Sequence, residues 1–305
     1  MKYTNYTPPL FKISEQDNWK EYLNNNGFVV IKNILDDNEQ IDFWNLFKED
    51  YKTVSPDFNF EDKSTWSIKT YPGMFAKGIC PFNGMGQANF SWLIRTHPNI
   101  NQIYSKIFNT DNLITSIDAF SFFFTKKQKS KAWHHIDQNP KNTVLCYQGA
   151  YNYIGVGEND AGFVVAPGSH KLFKPDVKHT NNWIMVPEDS EWNNKVVKLI
   201  IPNNCFTIWN SRTIHANTGM TKKDIEINRL TVYVTLMPRE YSSDENTKKK
   251  KAAYRNGDTC SHWANKCVIK RFPWGFQKQH MVKNLNYLNP LLENESIPQY
   301  REKLL

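Results

Sequence analysis

Hydrophobic positions along this chain change period twice: helical spacing near the start gives way to strand-like alternation, then to an irregular tail. Trp19, Tyr22 and Leu23 share one helical face, predicting a helix capped by Ser14 and running through Asn24. Asn25, Asn26 and Gly27 stop it, and Phe28-Val29-Val30-Ile31 reads as a short buried strand. Asp36 with Glu39 three residues later is a capping-box signature. It opens a helix to about Tyr51, with Ile41, Trp44 and Phe47-Lys48 keeping the spacing. From Thr53 to Asn89 the chain is loop-like, punctuated by Pro56, Pro72, Gly73, Gly78, Pro81, Gly84 and Gly86. Trp66, Tyr71, Met74, Phe75, Phe82 and Met85 predict that this loop packs on the body, over a pocket. A helix from about Pro98 to Phe108 follows.

After Leu113 the alternation is β. Strands are expected at Ser116–Phe124, Ala132–Asp137, Leu145–Ile154, Gly162–Ala166, Val196–Ile200, Cys205–Trp209 and Arg229–Leu236. So many short strands in succession point to a sandwich, barrel or jelly roll. The tail beyond Pro238 reads as irregular, then partly helical.

Composition narrows the class. Hydrophobic residues at 40% and charged residues at 22% are ordinary for a globular chain, and aromatics at 14% imply a large aromatic core or pocket. No apolar run approaches the roughly 20 residues that span a bilayer. Met1 to Leu10 is polar and proline-containing, unlike a secretory leader. A soluble, cytoplasmic location is the expectation. Five cysteines at irregular spacing do not make a disulfide framework. Cys260, His262 and Cys267 in CSHWANKC lack the paired short spacing of a structural zinc site. The net charge of +8 is concentrated in Lys248–Lys251, Arg255, Lys266, Lys270 and Arg271. Such a run could meet nucleic acid or an acidic partner, but a solvated loop is the preferred reading.

His135-Ile136-Asp137 carries the first chemistry, because residues i and i+2 of a strand point to one face and can converge on one ion. His215, just after the strand Cys205–Trp209, supplies a third ligand if the strands fold back on one another. Two histidines and one carboxylate on one side of a metal leave adjacent positions open, the arrangement of non-haem Fe(II) oxygenases, which must bind substrate-side ligands and O₂ side by side. In Arg229-Leu230-Thr231-Val232-Tyr233, alternation places Arg229, Thr231 and Tyr233 on one face. An arginine pointing into a barrel requires a buried anion, and the distal carboxylate of 2-oxoglutarate would match its planar fork, with Thr231 as a neighbouring contact.

These motifs, in this order, resemble the phytanoyl-CoA dioxygenase family from about Asn26 to Pro238. Gly27-Phe28-Val29-Val30-Ile31 is similar to the family's opening strand, and His135-Ile136-Asp137 to its iron motif. Ala161-Gly162-Phe163-Val164-Val165-Ala166-Pro167-Gly168-Ser169-His170-Lys171 resembles its strand ending in Pro-Gly-Ser/Thr-His-Lys. Ile214-His215-Ala216-Asn217, followed by Arg229, resembles its distal histidine and 2-oxoglutarate arginine. The resemblance implies iron on His135, Asp137 and His215, and 2-oxoglutarate on Arg229. Asn217 takes a polar cosubstrate position, and Gln148 a pocket position that is aromatic in some members. His170 is expected to be structural, with Gly168 permitting the turn. The spacing from His215 to Arg229 is longer than in typical members, implying an extended turn through Thr221-Lys222-Lys223-Asp224. Related halogenases replace the carboxylate ligand with a small residue, so Asp137 favours oxygenation.

The implied fold is a double-stranded β-helix, or jelly roll, mainly β with flanking helices. A single oxygenase domain is expected to comprise an N-terminal helical and loop buttress (1–112), the jelly-roll core (113–240) and a basic C-terminal extension (241–305). The implied chemistry uses Fe(II), 2-oxoglutarate and O₂, hydroxylates a small-molecule substrate and releases succinate and CO₂. Its rivals are an inactive jelly-roll binding module and a basic nucleic-acid-binding protein.

Overall fold

The computed structural model describes residues 3–67, 78–81, 83–124, 133–221, 225–269, 286–289, 291 and 295–305. Two sheets face each other. One contains, in spatial order, Thr4–Tyr6 (β1), Val197–Leu199 (β11), Gly162–Val165 (β9), His215–Thr218 (β13), His135–Ile136 (β7) and Ile184–Met185 (β10). The other runs Leu10–Phe11 (β2), Phe28–Lys32 (β3), Cys205–Asn210 (β12), Tyr147–Asn152 (β8), Arg229–Val234 (β14), Phe120–Phe123 (β6) and Ile79–Cys80 (β4). Within them, β6, β14, β8 and β12 form one antiparallel set and β7, β13, β9 and β11 the other. The chain passes back and forth between the two sets, which makes the core a double-stranded β-helix. Leu113–Thr115 (β5) and Leu236–Pro238 (β15) pair separately.

Alternation assigns each strand two different jobs. From β3, β8, β12 and β14, the side chains of Val29, Ile31, Tyr151, Phe206, Ile208, Leu230, Val232 and Val234 join the large core beneath the N-terminal helices. Phe28, Val30, Ala150, Cys205 and Trp209 turn the other way and meet Phe163, Val165 and Leu199 from the facing sheet. The covering helices are α1 (Gln16–Asn26), α2 (Asp37–Val54), α3 (Asn89–Thr96) and α4 (Pro98–Phe108). Phe43, Phe47 and Tyr51 of α2 interlock edge-to-face with Phe90, Phe122 and Tyr151. Tyr104 of α4 ties helix to sheet, its hydroxyl bonded to the carbonyl oxygens of Tyr147 and Val234.

Local signals explain the joints. The Asp36 capping box forms as expected, with the Glu39 amide donating to Asp36 Oδ1 and the Asp36 amide to Glu39 Oε2. Gly27 closes α1 at φ +79°, and a Cβ there would lie 2.5 Å from His170 Nδ1. His170 Nε2 bonds the Asn24 carbonyl, while Gly168, at φ +75°, donates its amide to Asn26 O. The Pro-Gly-Ser-His segment therefore latches the end of the first helix, and His170 has a structural place.

Several expectations change. The residue preceding α1 is Glu15, with no side-chain cap bond, so Ser14 does not cap it. Ile41 points to solvent, at 58% exposed, whereas Phe43 and Phe47 face the core. The region read as loop through Asn89 contains β4 and leads into α3, which the sequence reading missed. Trp66 and Met85 are buried as expected, but Tyr71, Pro72, Gly73, Met74, Phe75 and Phe82 lie outside the described residues. So do Ala132, Lys222–Asp224, Lys270 and Arg271. Lys248–Lys251 is not a solvated loop but part of helix α5 (Asp244–Arg255), capped by Ser243. Lys249 pairs with Glu245 and Lys251 with Glu302, while Lys250 is buried with Nζ on the carbonyls of Thr115 and Ala264. None of the described helices is long and apolar enough to cross a membrane.

α3 begins after Ala88, whose side chain cannot cap it. The cap comes from elsewhere: Asp50 of α2 accepts the Phe90 amide and the Asn89 side chain. Burial pushes the Asp50 carboxyl up to about 6 from 3.8 despite those bonds. The folded state therefore holds this proton more tightly than the unfolded chain. Stability from this group is present below pH ~4 and is lost as pH rises through about 6, by up to ~3 kcal/mol. The wild-type-minus-Asp50→Asn difference in urea midpoint should fall between pH 4 and 7; a difference independent of pH would remove Asp50 as its source.

Candidate active site

The inward faces of the two sheets supply the site. His135 of β7 and His215 of β13 are direct ladder partners, so backbone register alone sets them side by side. Their rings lie 4.5 Å apart by centroid. Asp137 follows β7, its amide bonded to the Ser211 carbonyl. Its Oδ1 is 3.6 Å from His135 Nε2 and its Oδ2 3.2 Å from His215 Nε2. These three side chains are the only group of three or more His, Cys, Asp or Glu among the described residues able to hold a metal ion, with ligand atoms all within 4.8 Å.

The protein also fixes which nitrogens are available. Nδ1 of His135 is 2.9 Å from the Trp133 carbonyl, and Nδ1 of His215 is 2.9 Å from the Thr213 carbonyl. A carbonyl only accepts, so each Nδ1 carries a proton and each Nε2 is turned toward Asp137 with its lone pair free for a cation. Gln148 of β8 holds the carboxylate, donating Nε2 to Asp137 Oδ2 at 3.0 Å and to Ser211 Oγ at 3.3 Å. Burial alone would raise Asp137, but the attraction of the neighbouring imidazoles, His135 first and then His262, holds the carboxyl well below its usual range. Burial and then repulsion from His135 lower His215, favouring the neutral ring that binds metals.

Arg229 lies on the inward face of β14 and is 1% exposed. Its Nε donates to Thr231 Oγ1, and its Nη2 to Asn217 Oδ1 at 2.9 Å and Tyr233 Oη at 3.4 Å. Asn217 Nδ2 bonds Tyr233 Oη, which meets Ser121 Oγ, and Thr231 Oγ1 donates to Asn152 Oδ1. Nη1 of Arg229 is buried with no hydrogen-bond partner among the described residues. Burial draws its pKa below that of a free guanidinium.

A cavity of about 240 Å³ opens over the triad, lined by His135, Asp137, His215, Gln148, Asn217 and Tyr233 together with several aromatics. Of the residues singled out from sequence, Thr231 and Arg229 stand behind Asn217 and Tyr233 rather than on the wall. Trp133 stacks on His135 at 4.6 Å, Phe163 on His215 at 5.6 Å, and Trp209 tilts against His215 at 5.3 Å. Trp183, half-exposed, leans over His135 at the rim. Asp118, Ile79 and His262 complete the wall. The sequence reading gave none of these flanking residues a site role. His262 had been considered only as part of a zinc pattern, and Tyr233 only as a face-mate of Arg229. A larger cleft of about 750 Å³ near Asn112, Arg239 and Lys303 holds none of the triad.

No protein-family model matches the chain. "Ava biosynthesis cluster protein O" of Aspergillus versicolor is 24% identical over 273 residues, covering 83% of this chain and 87% of that protein. "Putative phytanoyl-CoA dioxygenase" of Dictyostelium discoideum is 24% identical over 208 residues, covering 50% of this chain and 55% of that protein. The crystal structure of the epimerase SnoN in complex with Fe3+, alpha ketoglutarate and nogalamycin RO superposes with a TM-score of 0.53 at 16% identity, covering 73% of this chain and 84% of that one, and so shares the fold. The ordered motifs, the jelly roll and these relatives are consistent with a phytanoyl-CoA dioxygenase-like family.

Proposed function

We propose that this chain is a non-haem Fe(II)- and 2-oxoglutarate-dependent dioxygenase that hydroxylates a small molecule with release of succinate and CO₂. The observation that carries this reading is the pairing of two sites across the facing inward sides of the two sheets. One is a His-Asp-His triad with its Nε2 lone pairs presented; the other is a buried arginine with Nη1 unsatisfied. A buried guanidinium costs several kcal/mol unless an anion meets it, and the far carboxylate of a dicarboxylic acid is such an anion. The donor set also fits: imidazole and carboxylate on one side of a cation suit Fe(II).

His135, Asp137 and His215 would hold the iron, and Arg229 would hold 2-oxoglutarate with Asn217 and Tyr233 beside it. When bound, the pair supplies O₂-dependent decarboxylation of 2-oxoglutarate coupled to oxidation of a C–H bond. The remaining residues position and exclude. Gln148 and the Ser211 carbonyl fix the Asp137 carboxylate and its backbone. Trp133, Phe163 and Trp209 pack around the two imidazoles, keeping water from the ligand rings. The cavity of about 240 Å³ suits a small substrate that reaches the metal past Trp183. Asp137, present as the carboxylate ligand, takes the position a halide would need and favours oxygenation over halogenation.

Two measurements test this. Anaerobic addition of Fe(II) and 2-oxoglutarate should give a visible charge-transfer band that needs both. Arg229→Ala should weaken 2-oxoglutarate binding at least about thirtyfold, the ~2 kcal/mol lower end for truncating one partner of a buried charge pair. Folded protein that binds Fe(II) yet shows no band would sink the cosubstrate assignment. In the second, Gln148→Ala should lower affinity for Fe(II) or Co(II) roughly 10- to 100-fold through loss of ligand positioning, and His215→Ala should abolish it. Unchanged metal affinity in both would remove the triad as the metal site.

A further inference from the structure

The C-terminal extension delivers one residue to the cavity wall, His262, and it does so from a short loop closed at its neck by two cysteines. Cys260 Sγ and Cys267 Sγ lie 3.6 Å apart. The backbone sets them as diagonal neighbours on one face: Cys260 bridges Ile269, two residues beyond Cys267, and the Ser261 amide bonds the Val268 carbonyl. On the other side of the loop, buried Lys250 donates Nζ to the Ala264 carbonyl, and Trp263 packs with Ile114, Cys146 and Met237. A zinc role for this segment is not supported, because among the described residues only the triad groups enough ligands.

We propose that Cys260 and Cys267 are a dithiol site of oxidative modification, converted by peroxide into a disulfide that clamps the loop carrying His262 to the cavity. The two cysteines differ as attacker and resolver should. Cys267 is partly exposed and Cys260 is buried. The hydrogen bond from Cys260 draws the Cys267 thiol down, opposed by burial and Asp258 and helped by Lys250 and Lys249, so Cys267 is the more acidic thiol of the pair. That same bond, together with burial, raises Cys260.

The chemistry balances with a peroxide as the two-electron oxidant. Cys267 Sγ attacks one peroxide oxygen, an S–O bond forms as the O–O bond breaks, and hydroxide leaves. Cys260 Sγ then attacks that sulfur, the S–S bond forms as the S–O bond breaks, and the Cys260 proton leaves with the oxygen as water. The sulfurs need close only from 3.6 Å to the ~2 Å of a disulfide. The other three cysteines, Cys80, Cys146 and Cys205, are buried.

The test uses the full chain, stripped of metal with a chelator so that metal-driven oxidation does not contribute, and treated with equimolar hydrogen peroxide. Titratable thiols in denaturant should fall from five to three, with a peptide-mapped Cys260–Cys267 link reversed by dithiothreitol. Cys260→Ser should stop at a sulfenic acid trapped by dimedone on Cys267, and Cys267→Ser should give no dimedone adduct on Cys260. Amide exchange of residues 261–266 should slow in the oxidised form. Five thiols remaining, a link to any other cysteine, or direct over-oxidation of Cys267 in the wild type would overturn the site. Unchanged exchange would overturn the clamp. None of these readouts requires iron or 2-oxoglutarate, so their failure is distinguishable from failure of the proposed function.

Discussion

Arg229 enters the interior of the jelly roll as a full charge with no carboxylate among the described residues bonded to it, and much of the site is arranged around that cost. A guanidinium has five donor hydrogens. Thr231, Asn217 and Tyr233 meet those on Nε and Nη2; Asn152 holds Thr231, Ser121 holds Tyr233, and Asn217 bonds Tyr233 in turn. The network thus solvates most of the cation with fixed dipoles and leaves one edge open. Neutral dipoles offset desolvation without cancelling charge, so the site stays electropositive where it opens. A few strands away, Asp137 offers the opposite charge to the two imidazoles. The interior therefore holds two complementary centres, one ready for a cation and one for an anion. A ligand with a chelating end and a distal carboxylate would satisfy both.

Such an interior is stable only because the outward faces of the same strands are bound so heavily. Leu230, Val232 and Val234 alternate with Arg229, Thr231 and Tyr233 along β14, and the apolar set lies in the aromatic core under α2 and α3. The facing sheet follows the same rule, with Ile136, Val164 and Ile214 outside and His135, Phe163 and His215 inside. A slip of one residue in either sheet would send charges into the aromatic core and isoleucines into the cavity. Register is therefore specified twice over, by apolar packing outside and by polar satisfaction inside.

That double specification explains which parts were legible. His135 and Asp137, and likewise Arg229, Thr231 and Tyr233, could be grouped from sequence because period 2 is all that grouping requires. Asp36 with Glu39, and Pro98 at the start of α4, announced their helices through local chemistry. By contrast, α3 was hidden because its cap is Asp50 on another helix, and its start at Ala88–Asn89 carries no local signal. Lys250 was misplaced on the surface because a run of four lysines looks solvated. One of them instead spans to backbone carbonyls inside the fold, pushed by burial down to about 7. Nothing in the linear pattern could disclose that.

The same division between strand and connection runs through the cavity wall. Metal-holding and anion-holding side chains sit on paired strands or at their ends, where ladder bonds fix them and a change of residue costs register or satisfaction. Trp183, Asp118 and His262 reach the wall from segments between or beyond the strands, where the backbone is less constrained and replacement is tolerated. Residues that must keep one geometry for every turnover belong on the first kind of scaffold, and residues that choose the substrate belong on the second. Strand alternation therefore points to the reaction class and carries little information about the substrate. At the rim that wall is made by Trp183 and by His262 from the C-terminal extension.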